Sequence, residues 1–181
     1  MTSRASKRLF VALYPPAEAV KAMLSAMKDL ALPRHRITPE AQVHLTLYFV
    51  GDTDPRRLDE VVESVRRSAS GIGEIELRPL RLVTLPEHGA ARLVAMETDA
   101  PANVVELQRR LVHRLSRRGV RGSEAFLPHL TLCRYAVAGG EAISRSVEMA
   151  TFRVSEVLVV ESVLRAAGAE HRVVDRVALE S

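Results

Sequence analysis

The sequence predicts a bilobal fold that mixes helices and strands, with a cleft between two related lobes. Three observations carry that expectation. The tetrapeptide His44-Leu45-Thr46-Leu47 returns as His129-Leu130-Thr131-Leu132, 85 residues later (129 − 44). The order strand–helix–strand–helix–strand can be read on both sides of the loop Pro86-Glu87-His88-Gly89-Ala90. At the same offset Pro16 falls on Pro101, Val20 on Val105 and Leu30 on Leu115. Weak repetition of a whole module is what gene duplication leaves behind. A pseudo-two-fold axis would then bring the two repeated strands together across a central groove.

The elements follow in order. Arg8 to Tyr14 reads as a buried strand, stopped by Pro15-Pro16. Val20, Met23, Leu24, Met27 and Leu30 keep helical spacing until Pro33. A polar loop through Pro39 leads to the first repeated strand, about 43–50. Asp54 before Pro55 is an expected N-cap, and Leu58, Val61, Val62 and Val65 form the stripe of a second helix. Glu74 to Leu85 reads as one strand, and Arg92 to Thr98 as the next. A helix over 101–118 follows, with Val104, Leu107, Leu111, Val112 and Leu115 inside and a basic face of Arg109, Arg110, Arg114, Arg117 and Arg118 outside. Gly119-Val120-Arg121-Gly122 ends it, and the second repeated strand runs to about Tyr135. Gly139-Gly140 is expected to open a short helix through Ala150. Phe152 to Leu164 and Glu170 to Leu179 read as a closing hairpin with Gly168 in its turn. The sequence halves are therefore about 8–85 and 92–180 of one bilobal domain, after a disordered tail at 1–7.

Composition narrows the class. Hydrophobic residues make up 47% of the 181, enough for a core, but aromatics are only 4% and Trp is absent. The core must be built mainly from Val, Leu and Ala. Basic residues exceed acidic ones by 26 to 22, which suits an anionic ligand without demanding one. Nearly all of that charge is Arg, the better bidentate phosphate partner. One cysteine, Cys133, rules out an intrachain disulfide and fits a reducing, cytoplasmic setting. No apolar run approaches the roughly 20 residues of a membrane-spanning helix. A monomer without membrane attachment is expected.

The repeated strands carry the chemistry. Alternate residues of a strand face opposite ways, so His44 and Thr46 share one face while Leu45 and Leu47 anchor the other. The same holds for His129 and Thr131 against Leu130 and Leu132. Histidine titrates near neutrality, so a pair on opposite walls can serve as general acid and general base. In-line displacement at phosphorus needs its proton-handling groups on opposite sides. Threonine hydroxyls beside them can donate to the non-bridging oxygens. A strained cyclic phosphodiester could be opened this way with no metal and no cofactor. A zinc reading through His44, His129 and Cys133 lacks a close-spaced ligand pair. Cys133 shares strand parity with His129 and is expected to border the groove. His35, His88, His113 and His171 are expected to be structural or surface residues. The basic helix face leaves open a second class, an RNA-binding module without turnover.

These residues resemble the two-histidine phosphoesterases, and within them the RNA 2′,3′-cyclic phosphodiesterases, historically called 2′-5′ RNA ligases. Arg8-Leu9-Phe10-Val11-Ala12-Leu13 is similar to the family's first strand, His44-Leu45-Thr46-Leu47-Tyr48-Phe49-Val50-Gly51 to its first HxTL motif, and Pro128-His129-Leu130-Thr131-Leu132-Cys133-Arg134 to its second. The resemblance implies a bilobal α+β fold, with two pseudo-symmetric lobes that each carry an antiparallel sheet and helices, and an active-site groove between them. It implies a hydrolase of RNA processing that opens 2′,3′-cyclic phosphate ends to 2′-phosphates. His44 would protonate the leaving 3′ oxygen and His129 would activate water. Thr46 and Thr131 would bind the phosphate, and Arg134 and Phe10 would help hold the nucleotide. Strict alternation puts Arg134 on the Leu face, so it needs a bulge or the strand's end to reach the ligand. Small cyclic nucleotides and 2′-5′ linkages remain alternative substrates. The Trp and Asn often found before the first motif are absent from Thr38-Pro39-Glu40-Ala41-Gln42-Val43. Glu161-Ser162 and His171 stand where the closing hairpin of the family usually shows tyrosines.

Overall fold

A computed structural model describes residues 6–116, 126–166 and 168–181. Strands and helices alternate as β1 (Lys7–Leu13), α1 (Ala17–Met27), β2 (His35–Ile37), β3 (Leu45–Thr53), α2 (Leu58–Ala69), β4 (Ile75–Leu77), β5 (Pro79–Leu85), β6 (Leu93–Thr98), α3 (Ala102–Leu115), β7 (His129–Tyr135), β8 (Ser144–Ser146), β9 (Phe152–Val154), β10 (Glu156–Arg165) and β11 (Gly168–Ala178). Short 3₁₀ turns lie at Glu40–Gln42 and Pro55–Arg57. Asp54 caps the second of these, accepting from the Arg56 N–H at 2.9 Å.

The pairing is antiparallel throughout, and most strands join one sheet in the order β11-β10-β1-β3-β7-β6-β5-β8, with β2 on the far end of β7. Its two halves meet at β3 and β7, where Leu45 pairs with Leu130. These are the corresponding residues of the two tetrapeptides, so the pseudo-two-fold axis passes between them. Each half-sheet borrows strands from the other half of the sequence. β10, near the C-terminus, pairs with β1, while β5, from before the central loop, pairs with β6.

Among the described residues the three α-helices cover one face. Val20 and Met23 of α1, Val65 of α2 and Leu107 and Leu111 of α3 share a core with Leu45, Leu47, Leu130 and Leu132. On the opposite face a small apolar group gathers Phe10, Ala12, Leu158 and Val160, with Tyr14 against it. That opposite face carries the His and Thr side chains, as alternation requires. Burying the leucines on one face thus commits the histidines to the other, and a one-residue slip would reverse both.

Several expected elements differ. No helix follows Gly139-Gly140; Ser144–Ser146 instead pairs with β5 as an edge strand. The stretch 74–85 is two strands, the first of which joins β9 in a separate small sheet. The loop before the first motif contains β2, which caps the end of β7. Helix α3 stops at Leu115, because Ser116 already has extended geometry. Arg117, Arg118 and Arg121, and residues 1–5 of the expected tail, lie outside the described residues. Lys7, expected in that tail, opens β1 and pairs with Glu161 at 2.7 Å. Among the described residues no helix is long and apolar enough to cross a membrane.

Candidate active site

The two motifs are held alike. His44 sits immediately before β3, and its Nδ1–H donates to the Gln42 carbonyl at 2.7 Å. His129 opens β7, and its Nδ1–H donates to the Leu127 carbonyl at 2.8 Å. A carbonyl can only accept, so both rings carry their proton on Nδ1 and present Nε2 outward. In each case the anchor lies two residues upstream, so the loop entering the strand sets the ring. Extending the Leu45–Leu130 register by one residue each way turns His44 toward Thr131 and Thr46 toward His129. Across its own half-sheet Thr46 faces Ala12, and Thr131 faces Ala95. No side chain larger than a methyl covers either hydroxyl from that strand.

Both motif strands bulge at the same place. Tyr48 pairs with Val11 and Thr46 with Ala12, which leaves Leu47 as the extra residue of β3. Cys133 pairs with Val94 and Thr131 with Ala95, which leaves Leu132 as the extra residue of β7. A bulge resets side-chain parity. Leu132 and Cys133 are both buried, and Arg134 swings onto the face of His129 and Thr131. The geometry that Arg134 needed is therefore present. The same bulge removes Cys133 from the groove, contrary to the parity expectation, and burial pushes its thiol above the ordinary value. At the matching position after the first bulge stands Phe49, 67% exposed, with its ring 6.1 Å from that of Phe10.

The two walls differ in chemistry. His44 lies in a cluster of rings: 4.9 Å from Phe10, stacked 5.3 Å from Tyr14, and edge-on 5.1 Å from His171. Tyr14 Oη and His171 Nδ1 are hydrogen-bonded at 3.2 Å. Burial pushes His44 from its ordinary 6.5 down to about 4; the Gln42 carbonyl opposes this, and the charges of His171, Arg134 and His129 add to it. Arg134 and His129 therefore lie within electrostatic reach of His44. Burial also lowers His171 and raises Tyr14, which stays a phenol. Opposite His129 stands Glu97, whose carboxylate is held by Arg81 at 2.8 Å.

Of the residues singled out in the sequence, His44, Thr46, Phe10, His129, Thr131 and Arg134 all lie on this one face. Tyr14, His171 and Phe49 join them. Their sequence signals were an aromatic just past the first strand, a histidine after the glycine turn of the last hairpin, and an aromatic in the first motif. The arginines of α3 do not join them. That helix packs on the Leu face of the sheet, and Glu106 binds both Arg109 and Arg110 at 2.7 Å. Among the described residues no group of three His, Cys, Asp or Glu side chains is assembled to hold a metal ion.

A two-lobed antiparallel sheet with one His-x-Thr on each of its two central strands defines a class, the two-histidine phosphoesterases. The model of the 2′-5′ RNA ligase superfamily matches residues 15–164, and the chain belongs to that family. The RNA 2′,3′-cyclic phosphodiesterase of Methanothermobacter thermautotrophicus is 30% identical over 141 residues, spanning 73% of this chain and 75% of that protein. The protein of the same description from Aquifex aeolicus is 24% identical over 156 residues, 81% of this chain and 82% of its own. Among solved structures, TT0787 of Thermus thermophilus superposes with a TM-score of 0.82 at 22% identity, covering 96% of this chain and 98% of that one. LigT of E. coli complexed with 3′-AMP gives 0.79 at 21% identity, covering 97% and 99%. These likenesses share the fold described above.

Proposed function

We propose that this chain hydrolyses 2′,3′-cyclic phosphates at RNA ends to 2′-phosphates without a metal ion. The observation that carries the reading is the matched pair of imidazoles, each pinned through Nδ1 to the carbonyl two residues upstream, with a threonine beside each. Relatives described as RNA 2′,3′-cyclic phosphodiesterases support the substrate class.

In this reading a water attacks phosphorus from the His129 side, and His129 Nε2 takes its proton. The P–O3′ bond breaks, and the 3′ oxygen takes a proton from His44 Nε2. The phosphate ends on the 2′ oxygen, and the two histidines exchange protonation states. Thr46 and Thr131 donate to the non-bridging oxygens, where charge accumulates. Arg134 balances the anion, and Phe10 lines the nucleotide side. The low proton affinity of His44 fits the acid role in one specific way. Its ring is neutral in the free protein and gains a proton when an anion enters beside it. An imidazolium so poorly stabilised gives its proton up readily.

Incubation with an oligonucleotide ending in a 2′,3′-cyclic phosphate, in EDTA, is the direct test. A 2′-phosphate product is expected. No product, or product only with added metal, refutes the reading.

A further inference from the structure

We propose that Glu97 is a further catalytic residue, the group that holds the attacking water for His129. The inference rests on the phosphodiesterase reading and adds to it a site for the nucleophile.

The register carries the argument. Glu97 of β6 pairs directly with His129 of β7 and, on its other side, with Arg81 of β5. Directly opposed residues of an antiparallel pair share a face, with Cβ atoms about 4.5–5.5 Å apart. His129, Glu97 and Arg81 therefore form one row across three strands, on the groove side of the sheet. Ala95, two residues earlier on the same face of β6, pairs with Thr131 and offers only a methyl. The floor beside the imidazole and the carboxylate is thus low enough to admit a water.

The carboxylate is built into the wall. The Glu97 side chain is only 14% exposed, and glutamate is seldom so covered unless it is paired. Arg81 Nε donates to its Oε2 at 2.8 Å, and Arg81 Nη1 is fixed in turn by donating to Ser144 Oγ at 3.1 Å. A bare carboxylate here would repel a phosphate anion. The Arg81 pair offsets that charge and leaves acceptor capacity, because a carboxylate offers about four lone-pair sites. The first lobe shows the alternative. Leu13 pairs with Leu45 as Met96 pairs with Leu130, so Tyr14 stands to His44 as Glu97 stands to His129. Rings keep water from the His44 wall. The wall from which water attacks carries an acceptor in the matching place.

In the step itself Glu97 accepts one hydrogen of the water, and His129 Nε2 removes the other as the oxygen bonds to phosphorus. The first hydrogen stays on the new P–OH group, which releases it to solvent after the product departs. Glu97 ends the step unchanged.

Methanol separates this role from a structural one, because its single O–H needs no second acceptor. With an oligonucleotide ending in a 2′,3′-cyclic phosphate in water containing methanol, wild type should form both the 2′-phosphate and its methyl diester. Glu97→Gln keeps the shape of the side chain. Arg81 can only donate, so the amide oxygen turns to it and the amide NH2 faces the water. In water kcat of this variant should fall about 10–100-fold, the worth of one hydrogen bond to a charged group, with KM unchanged. The ratio of methyl diester to 2′-phosphate should rise by the same factor. An unchanged kcat, a loss carried by KM, or equal loss of the two products overturns the proposal. Turnover by neither route in wild type overturns the phosphodiesterase reading, and the proposal with it.

Discussion

The packing of His44 against Phe10, Tyr14 and His171 makes a quantitative prediction about pH. Burial lowers this imidazole from 6.5 to about 4. A histidine whose folded-state pKa lies below its unfolded value opposes folding once protons bind the unfolded chain. Its contribution is complete above the unfolded pKa and is lost as pH falls toward 4. At about 1.4 kcal/mol per unit, the full loss is about 3 kcal/mol, and roughly 2 kcal/mol of it falls between pH 7 and pH 5. For a chain of this size that is a fall in Tm of about 4–8 °C. Two measurements check it. The His44 ring, followed by nitrogen NMR, should stay neutral through pH 5. In thermal melts His44→Gln should lose less stability than wild type between pH 7 and pH 5, by about the same 2 kcal/mol. His171 titrates with the same sign but is present in both proteins. Glu106, drawn down to about 2 by Arg109 and Arg110, titrates below the window. A cyclic phosphate in the groove should raise the His44 pKa. A His44 resonance titrating near 6.5, or parallel losses in the two proteins, would refute the reasoning.

Other outcomes follow from the same geometry. His44→Ala and His129→Ala should each lower kcat on a cyclic-phosphate end by about 10²–10⁴ with circular dichroism unchanged; retained activity in both would remove them from the chemistry. Thr46→Val and Thr131→Val keep shape but lose a donor, so kcat should fall by about 10²–10³ with little change in KM, measured by steady-state kinetics. Leu107→Ala empties a fully buried site beneath β3 and should cost about 2–5 kcal/mol in denaturant melts.

Much of the site is legible in the sequence because it is local. The tetrapeptides fix which side chains share a face, and the leucines fix which face is buried. Phe10 is pointed to only by the resemblance of the first strand to the family's, not by its spacing. What escapes is set by partners distant in sequence. His171 enters the cluster only because β11 pairs with β10, and β10 with β1. Simple alternation misplaces Cys133, because parity is reset by a bulge that only the β6 pairing reveals. After Gly139-Gly140, Ile143, Val147 and Ala150 fall at helical spacing, but the open edge of β5 decides the conformation of the segment. The basic stripe of α3 is real, but its neighbouring Glu106 and its side of the sheet turn it away from the groove.

The crossed placement of β5 and β10 has a consequence for the chain's history. A polypeptide of half this length could not close its own sheet; its last strand would lie beside the first strand of a second copy. Two copies trading that strand would form a symmetric dimer with one His-x-Thr from each, and thus a working site with interchangeable histidines. Joining two such copies end to end would release that constraint. One wall could then acquire rings and the other the Glu97–Arg81 pair, and the two histidines could come to differ. Separately expressed fragments cut near His88 should each be incomplete and should regain a common fold only when mixed.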